Sequence, residues 1–380
     1  MNEFPSKLPE IGTTIFTIMS ALAKKEKAIN LSQGFPEFDC DVKLKDFVTK
    51  YISEGKNQYA PMQGVEKLRE VLANKLSRQY RSNVSPDMIT VTAGGTQAIY
   101  TAISTVVKKG DEVIIFDPSY DCYAPTVLVN GGIPVHINLS FPDFSIPWEK
   151  VRHIITAKTR LIIINTPHNP SGTTLKEDDL KQLSEICKNN DLYIISDEVY
   201  EHISFNQISH QSVLNYPEIL EKAFIIYSFG KTFHITGWKM GYCVAPIRLM
   251  KEFLKIHQFL IFSCNTPVQY ALAEYMEDEA VYMGISEMYQ QKLEIFRNGV
   301  KKSRFKLLNC EGTYFQLLDY SSITDEKDVD FAKRLTKENK IASIPVSVFY
   351  KDNTDRKVLR FCFAKNNDTL HKATEILCKI

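Results

Sequence analysis

The chain has 380 residues, with 46 basic and 45 acidic side chains and a formal net charge of +1. This balance lacks the cationic excess of a nucleic-acid-binding surface, which argues against nucleic acid as a partner. No run of 18 apolar residues occurs, the eight cysteines form no Cys-x-x-Cys pair and the first residues do not resemble a signal peptide, so we expect no membrane span, no disulfide framework, no metal site and a cytoplasmic location.

Short apolar runs alternate with amphipathic stretches between about residues 88 and 246. The runs are rich in Ile and Val and lie at 113–117, 161–165, 193–197, 224–228 and 241–245. Helical patterns separate them, as at 96–107 and 177–189. This alternation predicts an α/β domain with a largely parallel sheet covered on both faces. Ligands bind at the carboxyl ends of such strands, where Asn165, Asp197 and Ser228 fall.

The pattern changes after residue 246. Long helical stretches are predicted over 248–261 and 266–302, followed by strand candidates and a final helix. The strand candidates are 314–318, 341–344 and 358–363. This order of elements predicts a second, α+β unit. The first 30 or so residues have no strand partner nearby in sequence, and we expect them to pack onto that unit.

Small residues occupy a predicted strand-to-helix turn at 92–97, which includes Gly95, Thr96 and Gln97. Such a turn leaves backbone N–H groups free to bind an anion, and the Thr96 hydroxyl can add a further contact. The segment lacks the Gly-x-Gly-x-x-Gly pattern, so a nicotinamide dinucleotide site is not supported.

Two prolines and a glycine stiffen the segment that follows the run at 161–165. Turn chemistry predicts a rigid connection there, and Asn169 lies within it. An amide held in such a connection can donate a hydrogen bond to a ligand oxygen. Taken alone, however, the segment indicates no more than a loop.

Asp197 ends the apolar run at 193–197, and Tyr200 follows three residues later. A buried carboxylate needs a cationic partner, and a protonated ring nitrogen of a cofactor is one such cation. The alternative is that Asp197 caps the N-terminus of a helix, which is common for an Asp at a strand end.

Lys231 lies just beyond the run at 224–228, three residues after Ser228 and eight before Lys239. A lysine flanked by small residues at a buried strand end is poorly placed as a solvated charge. Desolvation makes its amine easier to deprotonate, so it can act as a nucleophile toward an aldehyde. The alternative is an ordinary surface lysine in a loop.

The last three of these motifs, which contain Asn169, Asp197 and Lys231, together resemble the class I/II aminotransferases of fold type I, which depend on pyridoxal phosphate. Asn169 precedes Asp197 by 28 residues and Asp197 precedes Lys231 by 34 residues, which fits that family. Three further segments, at 30–36, 57–60 and 117–123, are similar to the methionine and kynurenine aminotransferase branch. The resemblance implies a large domain over 36–280 with a mostly parallel seven-stranded sheet, and a smaller α+β domain formed by 1–35 with 281–380.

The resemblance also implies a role for each site residue. Lys231 would form an imine with the cofactor and then move a proton, Asp197 would pair with the pyridine nitrogen, and Tyr120 would stack on the ring. Asn169 and Tyr200 would bind the phenolic oxygen. The cofactor phosphate would be held by Gly95, Thr96, Gln97, Ser228, Lys239 and, from the neighbouring subunit of a homodimer, Tyr59.

Arg360 would bind the substrate carboxylate, assisted by Asn169 and Gly34. The segment 358–363 supports this, because both faces of that strand are otherwise apolar and the guanidinium needs an anion. A carboxylate from the protein itself is the alternative. Phe16 and Phe262 lie in segments expected to line the side-chain pocket, although both could equally be core residues.

The expected substrate is methionine or an aromatic or apolar amino acid, since the pocket segments 14–16 and 261–263 carry no arginine for a second carboxylate. Two alternatives share the same chemistry, namely a kynurenine–oxoglutarate transaminase and a C–S lyase acting on cysteine conjugates. Ser263 stands where kynurenine-preferring relatives often have His. A DNA-binding regulator on this fold is disfavoured, because no basic helix pair precedes the segment at 30–36.

Overall fold

The computed structural model describes residues 5–380, so the first four residues of the predicted small domain lie outside the described part. The described chain contains strands β1 to β13, which are Ile29–Asn30, Ile89–Thr92, Glu112–Asp117, Ile133–Asn138, Thr159–Asn165, Tyr193–Asp197, Ala223–Ser228, Gly241–Val244, Lys306–Leu307, Phe315–Asp319, Ile341–Ala342, Ile344–Pro345 and Val358–Cys362. Helices α1 to α15 are Ile15–Glu26, Val42–Ser53, Glu66–Tyr80, Gly94–Val106, Tyr123–Val129, Trp148–Ile154, Glu177–Asn189, Pro217–Leu220, Phe229–Thr232, Ile247–Leu260, Thr266–Tyr275, Ala280–Met283, Ile285–Val300, Asp328–Glu338 and Asn367–Leu377.

The larger sheet has seven strands in the order β2-β8-β7-β6-β5-β3-β4. Strands β4, β3, β5, β6 and β7 run parallel, whereas β8 is antiparallel to both β2 and β7. The predicted α/β fold with a mostly parallel seven-stranded sheet is confirmed. Its central strands are buried on both faces, which explains why they appear in the sequence as continuous apolar runs.

Two strands of this sheet were not among the predicted runs. Strand β2 carries Thr90 and Thr92, and edge strand β4 begins with Ile133 and Pro134 and is only partly buried. Neither segment is a continuous apolar run, because threonines interrupt the first and Pro134, His136 and Asn138 alternate with the apolar residues of the second.

The helices follow ordinary rules of local structure. Helix α7 begins with three acidic residues, and Asp179 accepts a hydrogen bond from the Lys176 backbone N–H at 2.8 Å. These carboxylates suit the positive end of the helix dipole. The buried face of α7 carries Leu180 and Leu183 one turn apart, which is the periodicity that predicted the helix.

The smaller sheet has four strands in the order β12-β13-β10-β9, and β1 forms a separate two-stranded parallel pair with β11. Helix α1 packs against α14 in the same region. The predicted strand at 341–344 is therefore wrong as a single element. Its two halves separate at Ser343 and pair with different partners, β1 and β13.

The predicted long helix at 266–302 is also divided, into α11, α12 and α13. Asp278 accepts a hydrogen bond from the Ala280 backbone N–H at 3.0 Å, which starts a new helix, and Gly284 separates α12 from α13. These local signals override the apolar periodicity of the stretch. No helix among the described residues is long and apolar enough to cross a membrane.

Candidate active site

A cavity with an empty volume of about 700 Å³ opens at the carboxyl ends of β5, β6 and β7. This is the sheet edge at which ligands bind in parallel α/β folds. The cavity contains most of the predicted cofactor residues, and its lining includes Gly95, Thr96, Tyr120, Asn169, Asp197, Tyr200, Ser228, Lys231 and Lys239. Residues more than 130 positions apart in sequence therefore meet because neighbouring strands end side by side.

Asp197 is a buried anion without a cationic partner. It is 3% exposed, and its carboxylate accepts hydrogen bonds from the Tyr123 hydroxyl at 2.5 Å and the Val199 N–H at 3.4 Å. Within residues 5–380, no side-chain cation lies within salt-bridge distance of it. Burial raises the pKa of Asp197 to about 6, against the opposing effect of these hydrogen bonds. A cationic ligand beside Asp197 would stabilise its ionised form.

Lys231 lies in the short helix α9, and its amine points toward the small sheet. Its Nζ donates to the Tyr314 hydroxyl at 3.0 Å and lies 3.4 Å from the Gly34 carbonyl oxygen. Burial lowers the pKa of Lys231 to about 8, since a desolvated ammonium is disfavoured. Near neutral pH, more of this amine is therefore neutral and nucleophilic than of an exposed lysine, although the ammonium form still predominates.

The N-terminus of α4 forms one wall of the cavity. No side chain caps this helix, and Gly94 has a φ of +77°. A Cβ on Gly94 would lie 3.3 Å from the Lys239 Nζ, which shows how closely that cation approaches the helix end. Free N–H groups, the helix dipole and a lysine together favour an anionic group such as a phosphate.

Arg360 is a buried cation without an anionic partner. It is 1% exposed, its Nη1 donates to Asn169 Oδ1 at 2.8 Å and its Nη2 donates to the Ser32 carbonyl at 3.2 Å. Its Nε is buried and has no hydrogen-bond partner. In the described part of the chain, no carboxylate lies within salt-bridge distance of the guanidinium, so these residues do not supply the alternative partner, a protein carboxylate.

Aromatic rings surround the Arg360 guanidinium. Its central carbon lies 3.9 Å from the Phe315 ring centroid, 5.2 Å from that of Phe16 and 5.5 Å from that of Phe349. Cation–π contacts of this kind stabilise an arginine in an apolar environment. They occupy none of its N–H groups, so those not bonded to Asn169 and Ser32 are available to a ligand anion, and they give the approach to Arg360 an aromatic wall.

Several residues predicted for the site lie outside the cavity. The Gln97 side chain accepts from the Ala93 N–H at 3.0 Å and donates to the Thr101 hydroxyl at 2.7 Å, so it is engaged within its own helix segment. Tyr59 is 82% exposed and packs edge-on against half-exposed Phe262 at 5.4 Å. Both aromatic residues lie on the protein surface, where a second chain could cover them.

Two tyrosines that contact the central charges were missed by the sequence interpretation. Tyr123 donates to Asp197, and Tyr314 accepts from Lys231 and donates to the Gly34 carbonyl at 2.7 Å. Tyr123 belongs to the segment at 117–123 that resembles the aminotransferase branch. Helix or strand periodicity, however, cannot predict that its side chain contacts Asp197 at the end of β6. Tyr314 precedes a predicted strand, and only the tertiary structure brings it to Lys231.

The chain belongs to the class I and II aminotransferases, whose family model matches residues 26–377. It is 49% identical to a methionine aminotransferase of Escherichia coli K12 over 98% of this chain and 97% of that protein. It is 32% identical to a kynurenine–oxoglutarate transaminase of Dictyostelium discoideum, over 99% and 96% of the two chains.

Solved structures show the same relationship. The crystal structure of an Escherichia coli protein, reported with a methionine aminotransferase function, matches with a TM-score of 0.97 and 48% identity over 99% of both chains. An N-succinyldiaminopimelate aminotransferase from Mycobacterium tuberculosis matches with a TM-score of 0.95 and 32% identity, also over 99% of both chains. The protein is therefore an aminotransferase whose substrates are an amino acid and a 2-oxo acid, and its cofactor is pyridoxal 5′-phosphate.

The cavity fits the three chemical features of this cofactor. Lys231 offers an amine for the aldehyde, Asp197 offers an uncompensated carboxylate for the ring nitrogen, and the α4 N-terminus with Lys239 offers an anion site for the phosphate. When bound, the cofactor supplies a ring that withdraws electrons from the substrate α-carbon. The protein side chains bind, orient and exchange protons around it.

Proposed function

We propose that this aminotransferase moves the α-amino group of methionine, or of another apolar or aromatic amino acid, to a 2-oxo acid. The observation that carries the proposal concerns Arg360, a buried guanidinium that has three aromatic rings around it and no carboxylate partner among residues 5–380. An amino-acid carboxylate supplies the missing anion, and the rings favour an apolar side chain. The similarity to a methionine aminotransferase supports the same choice.

Within this proposal each side chain has a distinct task. Lys231 would hold the cofactor through its aldehyde, and its amine would carry the proton removed from the substrate α-carbon. Asp197 keeps the ring nitrogen protonated, and Tyr200 with Asn169 binds the ring oxygen. Tyr120 stacks on the ring, while Ser228, Lys239 and the α4 N-terminus with Gly95, Thr96 and Gln97 hold the phosphate.

The substrate end is formed by residues from distant parts of the chain. Arg360 and Asn169 bind the carboxylate together with Gly34. Phe16 contributes to the aromatic wall beside Arg360, and Phe262 enters from the surface that a second chain would cover. We also propose that 1–35 with 281–380 act as a small domain that closes over a large domain spanning 36–280.

A panel of amino acids tests the substrate proposal. Purified enzyme loaded with cofactor is mixed with methionine, phenylalanine, tyrosine, kynurenine, aspartate or glutamate, and the change in the visible cofactor band is followed for each. We expect methionine and the aromatic amino acids to react far faster than the dicarboxylates. Faster reaction with aspartate or glutamate would overturn the proposal, and a preference for kynurenine would favour the first alternative.

The C–S lyase alternative needs a separate assay. Cystathionine is incubated with the enzyme, and pyruvate and ammonia are measured beside transamination of methionine. Pyruvate and ammonia without any amino transfer would contradict the transaminase proposal.

The visible spectrum of Lys231→Ala tests whether Lys231 is the residue that binds the cofactor. We expect the variant to lose the visible imine band. An unchanged spectrum would contradict the assignment of this role to Lys231.

We further propose a cytoplasmic homodimer with shared active sites, in which Tyr59 reaches the phosphate of the partner subunit. The aromatic side chains of Tyr59, Phe259 and Phe262 are exposed in the single chain, which supports a subunit contact at this surface. The cytoplasmic location is supported by the eight cysteines, which are all free thiols, as suits a reducing compartment. Sedimentation measures the dimer. Mixing inactive Lys231→Ala with a weakened Tyr59→Ala and refolding the mixture should restore activity, because one site of each mixed dimer then keeps both residues.

A further inference from the structure

The hydroxyl of Tyr314 is the closest hydrogen-bond partner of Lys231. Within residues 5–380, the Lys231 Nζ has only two partners, the Tyr314 hydroxyl at 3.0 Å and the Gly34 carbonyl at 3.4 Å. The Tyr314 hydroxyl in turn donates to the same Gly34 carbonyl at 2.7 Å. Two groups from distant parts of the sequence, the Tyr314 hydroxyl and the Gly34 carbonyl, therefore converge on the Lys231 amine.

The direction of these hydrogen bonds is determined by the Gly34 carbonyl. A phenol has one proton and the carbonyl can only accept, so the Tyr314 proton points to Gly34. The oxygen lone pair of Tyr314 is then left to accept from the lysine amine. Tyr314 is fully buried, with Tyr200 at 5.2 Å and Tyr289 at 5.7 Å between ring centroids. Burial raises the pKa of Tyr314 well above its usual value, so the phenol stays protonated.

The backbone around Tyr314 ties this contact to the substrate clamp. Phe315, the next residue, lies 3.9 Å from the Arg360 guanidinium carbon. A Cβ on Gly34 would approach the Phe315 ring to 2.8 Å, so only glycine fits against this ring without displacement. Two consecutive side chains at the beginning of β10 therefore make the two contacts. Tyr314 contacts the Lys231 amine, and Phe315 contacts the Arg360 guanidinium.

We propose that Tyr314 is a positioning residue for Lys231, which holds the amine beside the substrate α-carbon once the lysine is no longer bonded to the cofactor. The proposal rests on the proposed role of Lys231 as the proton carrier. In that step the Cα–H bond breaks, a bond between Nζ and the proton forms, and the electron pair stays with the substrate and the conjugated ring. The Tyr314 oxygen would accept a hydrogen bond from the resulting ammonium. The ammonium would later give up the same proton, so the proton transfer needs no oxidant.

The test compares Tyr314→Phe with Tyr289→Phe. Tyr289 is a matched control because it is buried beside Tyr314, and its hydroxyl has no hydrogen-bond partner among the described residues. We expect Tyr314→Phe to lower kcat about 10- to 100-fold with little change in KM. The deuterium isotope effect measured with α-deuterated methionine should rise, because proton transfer becomes more rate-limiting. Tyr289→Phe should change neither quantity.

A second readout needs no turnover. In cofactor-free protein, reductive methylation of Lys231 is followed by peptide mass spectrometry across pH. Loss of the Tyr314 acceptor should shift the midpoint of Lys231 labelling to lower pH, since the ammonium loses a hydrogen bond. An unchanged midpoint and an unchanged isotope effect, with only a lower unfolding midpoint, would show that Tyr314 is merely structural. A failure of the proposed Lys231 role can be distinguished from a failure of the Tyr314 proposal, because it would appear as an unchanged visible spectrum of Lys231→Ala.

Discussion

Two buried carboxylates in one short segment of this enzyme have opposite surroundings. Glu201 follows Asp197 by four residues. Glu201 is paired with the buried Lys75 at 2.6 Å and accepts from the Tyr80 hydroxyl at 2.7 Å. Asp197 accepts two hydrogen bonds, and among the residues that the structure describes it has no cation within salt-bridge distance.

The difference appears in their acidities. Burial disfavours the charge on both groups, but Lys75 and the neighbouring hydrogen bonds lower the pKa of Glu201 to about 2, while the pKa of Asp197 is raised to about 6. A carboxylate that the protein itself neutralises stabilises the fold, whereas one left without a cation is available to a ligand.

The largest effect is expected for Asp197→Asn. An amide cannot carry the charge that holds the ring nitrogen protonated, and breaking a buried charge pair costs about 3–5 kcal/mol, which is roughly 10²- to 10⁴-fold in turnover. Because the protein provides no cation here, the cofactor-free variant should unfold no more easily than the parent. Steady-state kinetics and chemical denaturation measure the two effects. A large loss of cofactor-free stability would contradict the contrast with Glu201.

Lys75→Met should show the reverse pattern. Removing the cation leaves Glu201 buried and uncompensated, which should lower the free energy of unfolding by about 3–5 kcal/mol. The folded fraction should keep near-normal turnover. The double variant Lys75→Met with Glu201→Leu is the control, since replacing the whole pair by apolar residues should recover much of the loss. Inactive but stable Lys75→Met protein would place this pair in the active site instead.

Arg360 extends the comparison to a cation without a protein partner. Arg360→Ala should weaken amino-acid binding by about 2–5 kcal/mol, because the substrate carboxylate loses its buried partner, while cofactor affinity changes little. Spectroscopic titrations with methionine and with the cofactor separate the two affinities. Arg356→Ala removes a nearby exposed arginine and should change neither. Equal losses of both affinities in Arg360→Ala would show that Arg360 is structural.

The smallest effect is in the pH dependence of cofactor-free stability. Between about pH 4 and 6 the native protein keeps the Asp197 proton that the unfolded chain releases, so this group makes stability fall as pH rises. Glu201 acts oppositely, because its native form stays ionised down to about pH 2 and its contribution is lost as pH falls below about 4.5. We measure denaturation midpoints across pH. Asp197→Asn should lose the fall in stability with rising pH, and Glu201→Gln should lose the fall in stability with decreasing pH. The same change of pH dependence in both variants would contradict this prediction.

Much of the fold and of the cofactor site follows from local pattern. Buried parallel strands appear as apolar runs, and the ends of these runs coincide with Asn165, Asp197 and Ser228, which all line the cavity. Local pattern failed where pairing is decided at long range. The segment 341–344 divides between two sheets, and β4 lies at an edge that is only partly buried.

The α/β class, the order of the motifs and the family resemblance that assigns Lys231 its task can all be predicted from the sequence, because they depend on residue types and spacings. Which buried charges lack partners among the described residues became visible only in the folded chain. Asp197 and Glu201 are both acids near one strand end, and their difference comes from Lys75, which lies 126 residues from Glu201 in sequence. The surroundings of Arg360 and Tyr314 could not be predicted from the sequence either, because their burial and their hydrogen-bond partners arise from packing between distant segments.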